Sequence, residues 1–453
     1  MCIKFNYFKK NKKIKKKFKK WLPSFFLHYI LFAFHYKYRK NNSLFKVTNT
    51  YKYFIAPKIA TYLYWLLLPI YLVFKKNRLV FLINNISNSV GHVVCELDWF
   101  FRLTMKLNED SKFRYVVIWP RSEVSRYASE VYGDRFYAFI VSDFIYRLIL
   151  PVLMRFPDIT IDCGLSVVNL MFTKEDLFKN KLTQNNKLKN PIFQRPFMEV
   201  WNRYASYYIL RKETFDSYPM RPQKKISLEL SNYLGAMVEK YAVVKINTNT
   251  GNATAVVTDP STYLNAIRYL QQNGYGIVFA GREEMPEVFH ELKILNYAES
   301  LLANFRHDIE LIASSKFVLS SGSGFGFIAD TMGIPMVATN SWHLTVPFPS
   351  RYCVTLPTLL YDKNDNPMRF SEQINFFYSQ EQSSTLSTQS IKPRNASASE
   401  ILAALVEATT IQDSKYEISK LQNQFKNLKL ESPLFYAESK VSQQFIEKFQ
   451  YLL

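Results

Sequence analysis

The chain has 453 residues, 48% hydrophobic and 16% aromatic, a composition that excludes a disordered or fibrous protein. Its net charge of +21 is concentrated at one end. Residues 1–95 contain 19 Lys and Arg and no acidic residue, and Glu96 is the first acid. The other 39 of the 58 basic residues are almost balanced by the 37 acidic ones. A basic block of this kind binds polyanions, either a membrane surface or a nucleic acid.

Two apolar stretches, residues 21–36 and 53–74, accompany the basic block and favour an anionic membrane over a nucleic acid. A bilayer span needs about 20 apolar residues, whereas the first stretch is shorter and the second contains Lys58. We therefore expect residues 1–78 to hold the chain on the cytoplasmic face of the inner membrane, through helices that lie on or re-enter it. A single span by the second stretch, or a solubilising tail before ordinary core helices, are the alternatives.

The cysteines and histidines give no sign of a disulfide framework or a metal site. The six histidines show no metal-ligand spacing, and the four cysteines are scattered without a CxxC pair: Cys2, Cys95, Cys163 and Cys353. The sequence therefore predicts a reducing compartment, no bound metal ion and no cofactor.

From residue 79 onward, short apolar runs alternate with helical stretches, first over residues 79–156 and again over residues 242–340. This alternation predicts an α/β protein with two doubly wound, Rossmann-like halves. We expect four regions: a membrane-associating segment at 1–78, a first α/β domain with linker at 79–238, a second at 239–390, and C-terminal helices at 391–453. Residues 172–237 are expected to be irregular, and no strand is expected after residue 396.

The sharpest motif is the run Ser320-Ser-Gly-Ser-Gly-Phe-Gly326, between a predicted strand and a predicted helix. Glycines permit close approach of an anion, the helix start presents free N–H groups, and hydroxyls add donors. The pattern suits a diphosphate, although a tight strand-to-helix turn explains it equally well. The donor-site candidates within it are Ser320, Ser321, Gly322, Ser323 and Gly324.

Further donor-site candidates end two other strands of the second half, at the carboxyl edge that faces the same crevice. Lys245 and Asn247 follow one strand, and Gly281-Arg282 follows another, so Lys245 or Arg282 is placed to neutralise a leaving pyrophosphate. Asn340 ends the strand after the glycine-rich turn, where a dinucleotide-binding fold has an acid for the ribose. The turn is not GxGxxG, and no P-loop is present.

The first half offers a candidate base. His92 follows Gly91 at the start of the helix after the first strand, and Glu96 lies four residues on, on the same helical face. We predict catalytic roles for His92 and Glu96, and an acceptor side formed by Gly91 and by Asn84 at the end of that strand. The alternative is a histidine that only packs the helix start.

These residues carry a resemblance to a known family. Val90-Gly-His-Val-Val-Cys-Glu96 resembles the N-terminal signature of bacterial glycosyltransferases found among surface-polysaccharide genes. Later stretches are similar too, namely 263–270, 308–323 and 329–340, and the last two also resemble the donor half of GT-B enzymes, including the fucosyltransferase-like group. The resemblance implies a GT-B fold, two domains facing a cleft, with a nucleotide sugar bound by the second. Relatives carry a His-Val-Arg-like triplet at the end of the strand occupied here by Val244-Lys-Ile-Asn247. Lys245 is the candidate to replace that Arg, although lysine lacks arginine's bidentate fork.

The sequence has no Asp-x-Asp triplet, the usual metal-holding pair of single-domain sugar transferases. Together these features predict a metal-independent glycosyltransferase of the hexosyltransferase type, with a nucleoside-diphosphate sugar as donor and a surface-glycan or lipid-linked acceptor. Three alternatives remain open: a glycerophosphate or pyruvyl transferase on the same scaffold, a membrane-bound scaffold or polyanion-binding protein without activity, and nucleic-acid binding by residues 1–20.

Overall fold

The computed structural model describes residues 56–83, 90–107, 114–142, 145–146, 149, 153, 160–162, 196–214, 217–222, 226–248, 257–322, 324–341, 344, 347–379, 391–411, 417–430 and 432–453. The predicted stretch 21–36, Asn84 and Ser323 lie outside these residues. Among the described helices, none is both long enough and apolar enough to cross a membrane.

The first sheet has four parallel strands in the order β3-β2-β1-β4. Its elements, with the helices around it, are α1 (Ala56–Lys76), β1 (Leu79–Ile83), α2 (Val90–Leu107), β2 (Arg114–Pro120), α3 (Glu123–Tyr132), β3 (Tyr137–Val141) and β4 (Thr160–Asp162). Alternate residues of β1 and β2 point to opposite faces. Phe81, Val116 and Ile118 pack against α1, whereas Val80 and Val117 belong to the core that contains α2.

The second sheet has seven parallel strands in the order β13-β10-β9-β8-β5-β6-β7. Two helices lead to it, α4 (Pro196–Glu213) and α5 (Leu228–Leu234). The sheet and its crossovers then comprise β5 (Tyr241–Lys245), α6 (Leu264–Gln272), β6 (Gly276–Phe279), β7 (Ile294–Asn296), α7 (Phe305–Ser314), β8 (Phe317–Ser321), α8 (Gly324–Thr331), β9 (Met336–Ser341) and β10 (Cys353–Pro357). Strands β5, β8, β9 and β10 are buried along their whole length, as expected of a parallel sheet covered on both faces.

The C-terminal part adds a small antiparallel pair, β11 (Leu359–Tyr361) with β12 (Lys392–Arg394). The remaining elements are α9 (Phe370–Ser379), α10 (Ala398–Ile411), α11 (Lys420–Lys426), α12 (Pro433–Tyr436), β13 (Lys440–Val441) and α13 (Gln443–Lys448). Helix α10 contacts α6, β9 and β10, so these helices cover one face of the second sheet.

One apolar core runs through both halves. It contains Val93 and Phe100 of α2 together with Ile309 of α7 and Ile328 of α8. Helix α2 is therefore buried between the first sheet and the helices of the second. The two halves are in direct contact at this place, and the predicted cleft and domain boundaries stay predictions.

The structure confirms the predicted α/β class and the parallel sheets. Two sequence-based expectations were wrong. The stretch 172–237 contains the long helix α4 where irregular structure was expected. A strand also occurs after residue 396: β13 extends the second sheet beyond β10 because its two residues pair with Val354 and Thr355.

Candidate functional site

The end of strand β5 lies beside the end of strand β8. In the parallel register Lys245 is opposite Ser320. The Asn247 backbone N–H donates to Ser321 Oγ over 2.8 Å, and Asn247 Nδ2 donates to the Gly322 carbonyl over 3.2 Å. The structure therefore brings two of the predicted donor-site segments together at the carboxyl edge of the second sheet, where open α/β sheets bind ligands.

Lys245 is the cation of this edge. Its side chain is nearly buried, donates a hydrogen bond to Asn247 Oδ1, and lies 3.5 Å from Glu283 Oε1. Burial lowers the pKa of Lys245, and the Glu283 carboxylate partly offsets this effect. Gly281 adopts φ +122°, and a Cβ there would stand 3.3 Å from Lys245 Cε, so this glycine makes room for the lysine stem.

Glu283, which no sequence pattern singled out, completes the arrangement. Its Oε2 accepts hydrogen bonds from the Thr248 N–H at 2.7 Å and from Thr248 Oγ1 at 3.0 Å. The edge therefore presents a cation and a carboxylate side by side. A cation suits a diphosphate, and a carboxylate accepts hydrogen bonds from the hydroxyls of a sugar or ribose. The signal for Glu283 was its place just after Gly281-Arg282, at the end of a strand.

Arg282 makes different contacts. Its guanidinium forms two bonds with Asp308, at 2.8 and 3.2 Å, and lies 3.5 Å from Glu123 Oε1 of helix α3. Burial raises the pKa of Asp308 to about 6 despite the opposing effect of Arg282. In this arrangement Arg282 connects the second half to the first through these acids, and its Nη1 also donates to the Gly281 carbonyl over 2.9 Å.

The serine–glycine turn is more internal than its sequence suggests. Ser320 and Ser321 are buried, and Ser320 Oγ donates to the Ser321 carbonyl over 2.9 Å. The Gly322 N–H donates to the Thr339 carbonyl over 2.8 Å. Hydroxyl and amide groups that the sequence offers to an anion thus also hold the turn against β9.

Asn340 acts as a tie between segments. It has φ +50°, a left-handed conformation that asparagine tolerates better than most residues. Its Oδ1 accepts from the Ala396 N–H at 2.8 Å, and its Nδ2 lies 3.4 Å from Thr258 Oγ1. These contacts fix the C-terminal segment to the end of β9.

Gly91 and Gly324 bring the two halves into contact. They stand at the starts of α2 and α8, the helices that follow β1 and β8. A Cβ on Gly91 would come within 2.6 Å of the Gly324 Cα, and one on Gly324 would meet the Gly91 nitrogen at 2.9 Å. Only glycine fits either position without a shift. The two helix starts, each the positive end of a helix dipole, therefore converge.

His92 and Glu96 lie directly beside this crossing and interact as the sequence predicts. His92 Nδ1 is 3.5 Å from Glu96 Oε1; the histidine side chain is 28% exposed and the glutamate side chain 1%. A partly exposed imidazole backed by a buried carboxylate has the arrangement of a general base with its orienting group.

A buried ionic network, which no sequence motif indicates, lies deeper along α2. Asp98 Oδ2 contacts Arg102 Nε at 2.8 Å, Arg211 Nη1 at 3.1 Å and Tyr207 Oη at 2.6 Å. Arg211 Nη2 also donates to the Asp330 carbonyl at 2.7 Å and lies 3.4 Å from its Oδ2. Helices α2, α4 and α8 are thus joined beneath the glycine crossing.

Within the described residues, no group of three His, Cys, Asp or Glu side chains is placed to hold a metal ion. Metal independence remains a prediction, because the described part of the chain does not test it.

No protein-family model and no curated protein match the sequence. Several solved structures are similar in fold. The E. coli heptosyltransferase WaaC with ADP has 14% identity and a TM-score of 0.36, over 68% of this chain and 98% of that one. A glycosyl transferase family 9 protein from Veillonella parvula DSM 2008 has 10% identity and a TM-score of 0.40, over 74% and 97%.

The iron-containing dodecameric glycosyltransferase TibC from enterotoxigenic E. coli H10407 has 12% identity and a TM-score of 0.35. That match covers 61% of each chain, so this chain spans less than two thirds of TibC. All three similar structures are named as transferases of sugars, and none is named as a fucosyltransferase. At these identities and TM-scores the similarity assigns no role to any residue of this chain.

Proposed function

We propose that this chain is a GT-B-type glycosyltransferase that moves a sugar from a nucleoside-diphosphate sugar to a hydroxyl group of a glycan or lipid-linked acceptor. The observation that carries the proposal is the crossing of Gly91 and Gly324. It sets the His92–Glu96 pair of the first half beside the turn that adjoins Lys245 and Asn247 of the second.

The donor side follows from the Lys245 edge. The diphosphate is placed toward the Lys245 ammonium and the converging helix starts, and a hydroxyl of the nucleoside or sugar toward Glu283. Lys245 approaches the donor as a single point charge, since a lysine has no bidentate fork. Glu283 partly compensates the charge of Lys245, so the edge is nearly neutral by itself. The donor's negative charge then faces a lysine that Asn247 and Glu283 hold in place.

In the transfer step, His92 takes the proton from the acceptor hydroxyl while the oxygen of that hydroxyl bonds to the anomeric carbon of the sugar. The bond from that carbon to the diphosphate oxygen breaks, and its electron pair leaves with the nucleoside diphosphate. Lys245 stabilises the leaving charge, and Glu96 stabilises the protonated imidazole. A single displacement of this kind inverts the anomeric configuration.

The test uses the full chain, bacterial membranes as the acceptor source, and labelled UDP-, GDP-, dTDP- and ADP-sugars in turn. We expect one donor class to lose its sugar to the membrane fraction, with the rate unchanged by EDTA. His92→Ala should lower the rate about 10²- to 10⁴-fold, the usual contribution of a general base. The matched control is His290→Ala, at an exposed histidine in the connection between β6 and β7, and it should leave the rate unchanged.

Two results would contradict the proposal. If His92→Ala transfers sugar as fast as the wild type, the base is a different group. If no donor is consumed while the chain remains folded by circular dichroism, the inactive scaffold becomes the better explanation.

A further inference from the structure

Helix α1 is apolar on two sides, and among the described residues the first sheet packs against one of them. Its inner side packs on the first sheet through Leu63, Leu67, Leu68, Tyr71 and Phe74, which contact the cluster of Phe81, Val116 and Ile118. The outer side is exposed, with Trp65 at 70%, Leu66 at 71%, Ile70 at 44%, Leu72 at 58% and Val73 at 56%. A helix that is hydrophobic all round is normally buried on all sides.

The edge of the first sheet also carries exposed apolar side chains, on the face that packs against α1. In the β2–β3 register Tyr137 is opposite Val116, and Phe139 is opposite Ile118. Residues paired in this way point to the same face of a sheet, so both aromatic rings lie on the α1 side. They are 59% and 58% exposed. We call the outer side of α1 together with Tyr137 and Phe139 the apolar face.

Helix α1 and the turn after it carry only positive charge. Lys75, Lys76 and Arg78 lie at the end of the helix, and all three are exposed. No acidic residue occurs between Ala56 and Arg78, or anywhere before Glu96, although the exposed Asp134 precedes β3 on the sheet edge. An apolar helix surface that ends in cations has the chemistry that anionic lipid headgroups attract.

We infer that the apolar face docks on an anionic lipid surface, with α1 lying in the plane of the interface. The aliphatic and aromatic side chains enter the boundary between headgroups and acyl chains, and the cations at the end of α1 meet lipid phosphates. This assigns a membrane-binding surface to the first sheet itself, in addition to the basic residues that precede it. The inference does not depend on the proposed sugar transfer, because none of the residues assigned to that reaction belongs to the apolar face.

The test is co-sedimentation of the full chain with vesicles of phosphatidylcholine, with or without phosphatidylglycerol. The double variant Leu66→Gln/Ile70→Gln removes apolar surface from the face. The matched control is Leu228→Gln/Leu301→Gln, which changes two exposed leucines elsewhere, at 75% and 104% exposure. We expect the first variant to bind the anionic vesicles at least tenfold more weakly than wild type, and the control to bind as wild type does.

A second readout locates the helix in the bilayer. Brominated phosphatidylcholine in the vesicles should quench the fluorescence of the wild type more than that of Trp65→Phe, since bromines on the acyl chains quench only nearby indoles. Equal binding by Leu66→Gln/Ile70→Gln and wild type would overturn the inference and leave membrane binding to the basic residues alone. A second result would also overturn it: a wild-type chain that does not bind vesicles but forms a dimer, where the double variant is a monomer. The apolar face would then join two copies of the chain.

Discussion

The two sheets differ in how completely the fold covers them. In the second sheet, strands β5, β8, β9 and β10 are buried from end to end, and helices lie over them. In the first sheet, the edge strand β3 has an alternating pattern with Tyr137 and Phe139 exposed, although α1, Tyr146 and Leu153 pack on the same face. The second sheet is therefore covered on both faces along these strands, whereas the first sheet leaves its edge strand partly exposed.

The other face of the first sheet is covered, because it packs against α2. Its core is continuous with that of the second half, and α2 is buried between the two sheets. The first sheet is therefore anchored on the face that carries α2, while the face beneath α1 is only partly covered at the β3 edge.

The largest effect on this anchoring should come from Arg211. Arg211→Ala removes the cation that joins Asp98 of α2 to Asp330 of α8 and leaves buried carboxylates without it. Breaking a buried ion pair from one side costs about 3–5 kcal/mol of unfolding free energy. Urea denaturation followed by tryptophan fluorescence should show the loss, because Trp99 and Trp119 lie in the core of the first half.

The matched control for Arg211 is Arg126→Ala, which breaks the exposed pair between Arg126 and Glu130. An exposed pair contributes about 0–1 kcal/mol, so this variant should unfold almost as the wild type does. Equal midpoints for the two variants would show that the network does not hold the halves together.

A smaller effect is expected at the glycine crossing. Gly91→Ala places a methyl group 2.6 Å from the Gly324 Cα, so the starts of α2 and α8 must separate. Overpacking of this kind costs about 1–3 kcal/mol. Gly324→Ala should cost less, since its closest contact is 2.9 Å. Thermal unfolding of both variants measures the order, and a stability unchanged in both would refute the close crossing.

Local patterns predicted most of the elements of both halves. The strand at residues 79–83 and the helix that begins near Gly91 are visible because an apolar run ends in polar turn residues and a 3.6-residue period follows. Strands of two or three residues, such as β7 and β13, are too short to show a period.

Helix α4 was missed for another reason. Its Arg203 and Arg211 are buried, so charged residues stand where an amphipathic pattern would have apolar ones. The partners of Arg211, Asp98 and Asp330, lie far away along the chain, and a single sequence does not show such pairings. Side-chain pairings in the site are equally hidden from a single sequence. The register of β5 and β8 sets Lys245 beside Ser320, as expected of two candidates at one sheet edge. Arg282, however, pairs with Asp308, and it is the adjacent Glu283 that lies beside Lys245.

The central claim is that the edge around Lys245 binds a nucleoside-diphosphate sugar, and thermal unfolding of the full chain with each donor tests it most directly. Lys245→Met keeps the length of the side chain and removes its charge, and Lys240→Met is the control at an exposed lysine near the other end of β5. A ligand at a hundredfold excess over its Kd stabilises the folded chain by about 2.7 kcal/mol. We predict that one donor class raises the unfolding midpoint of the wild type and of Lys240→Met but not of Lys245→Met. A midpoint that no donor raises, or a rise that Lys245→Met retains in full, would contradict the account.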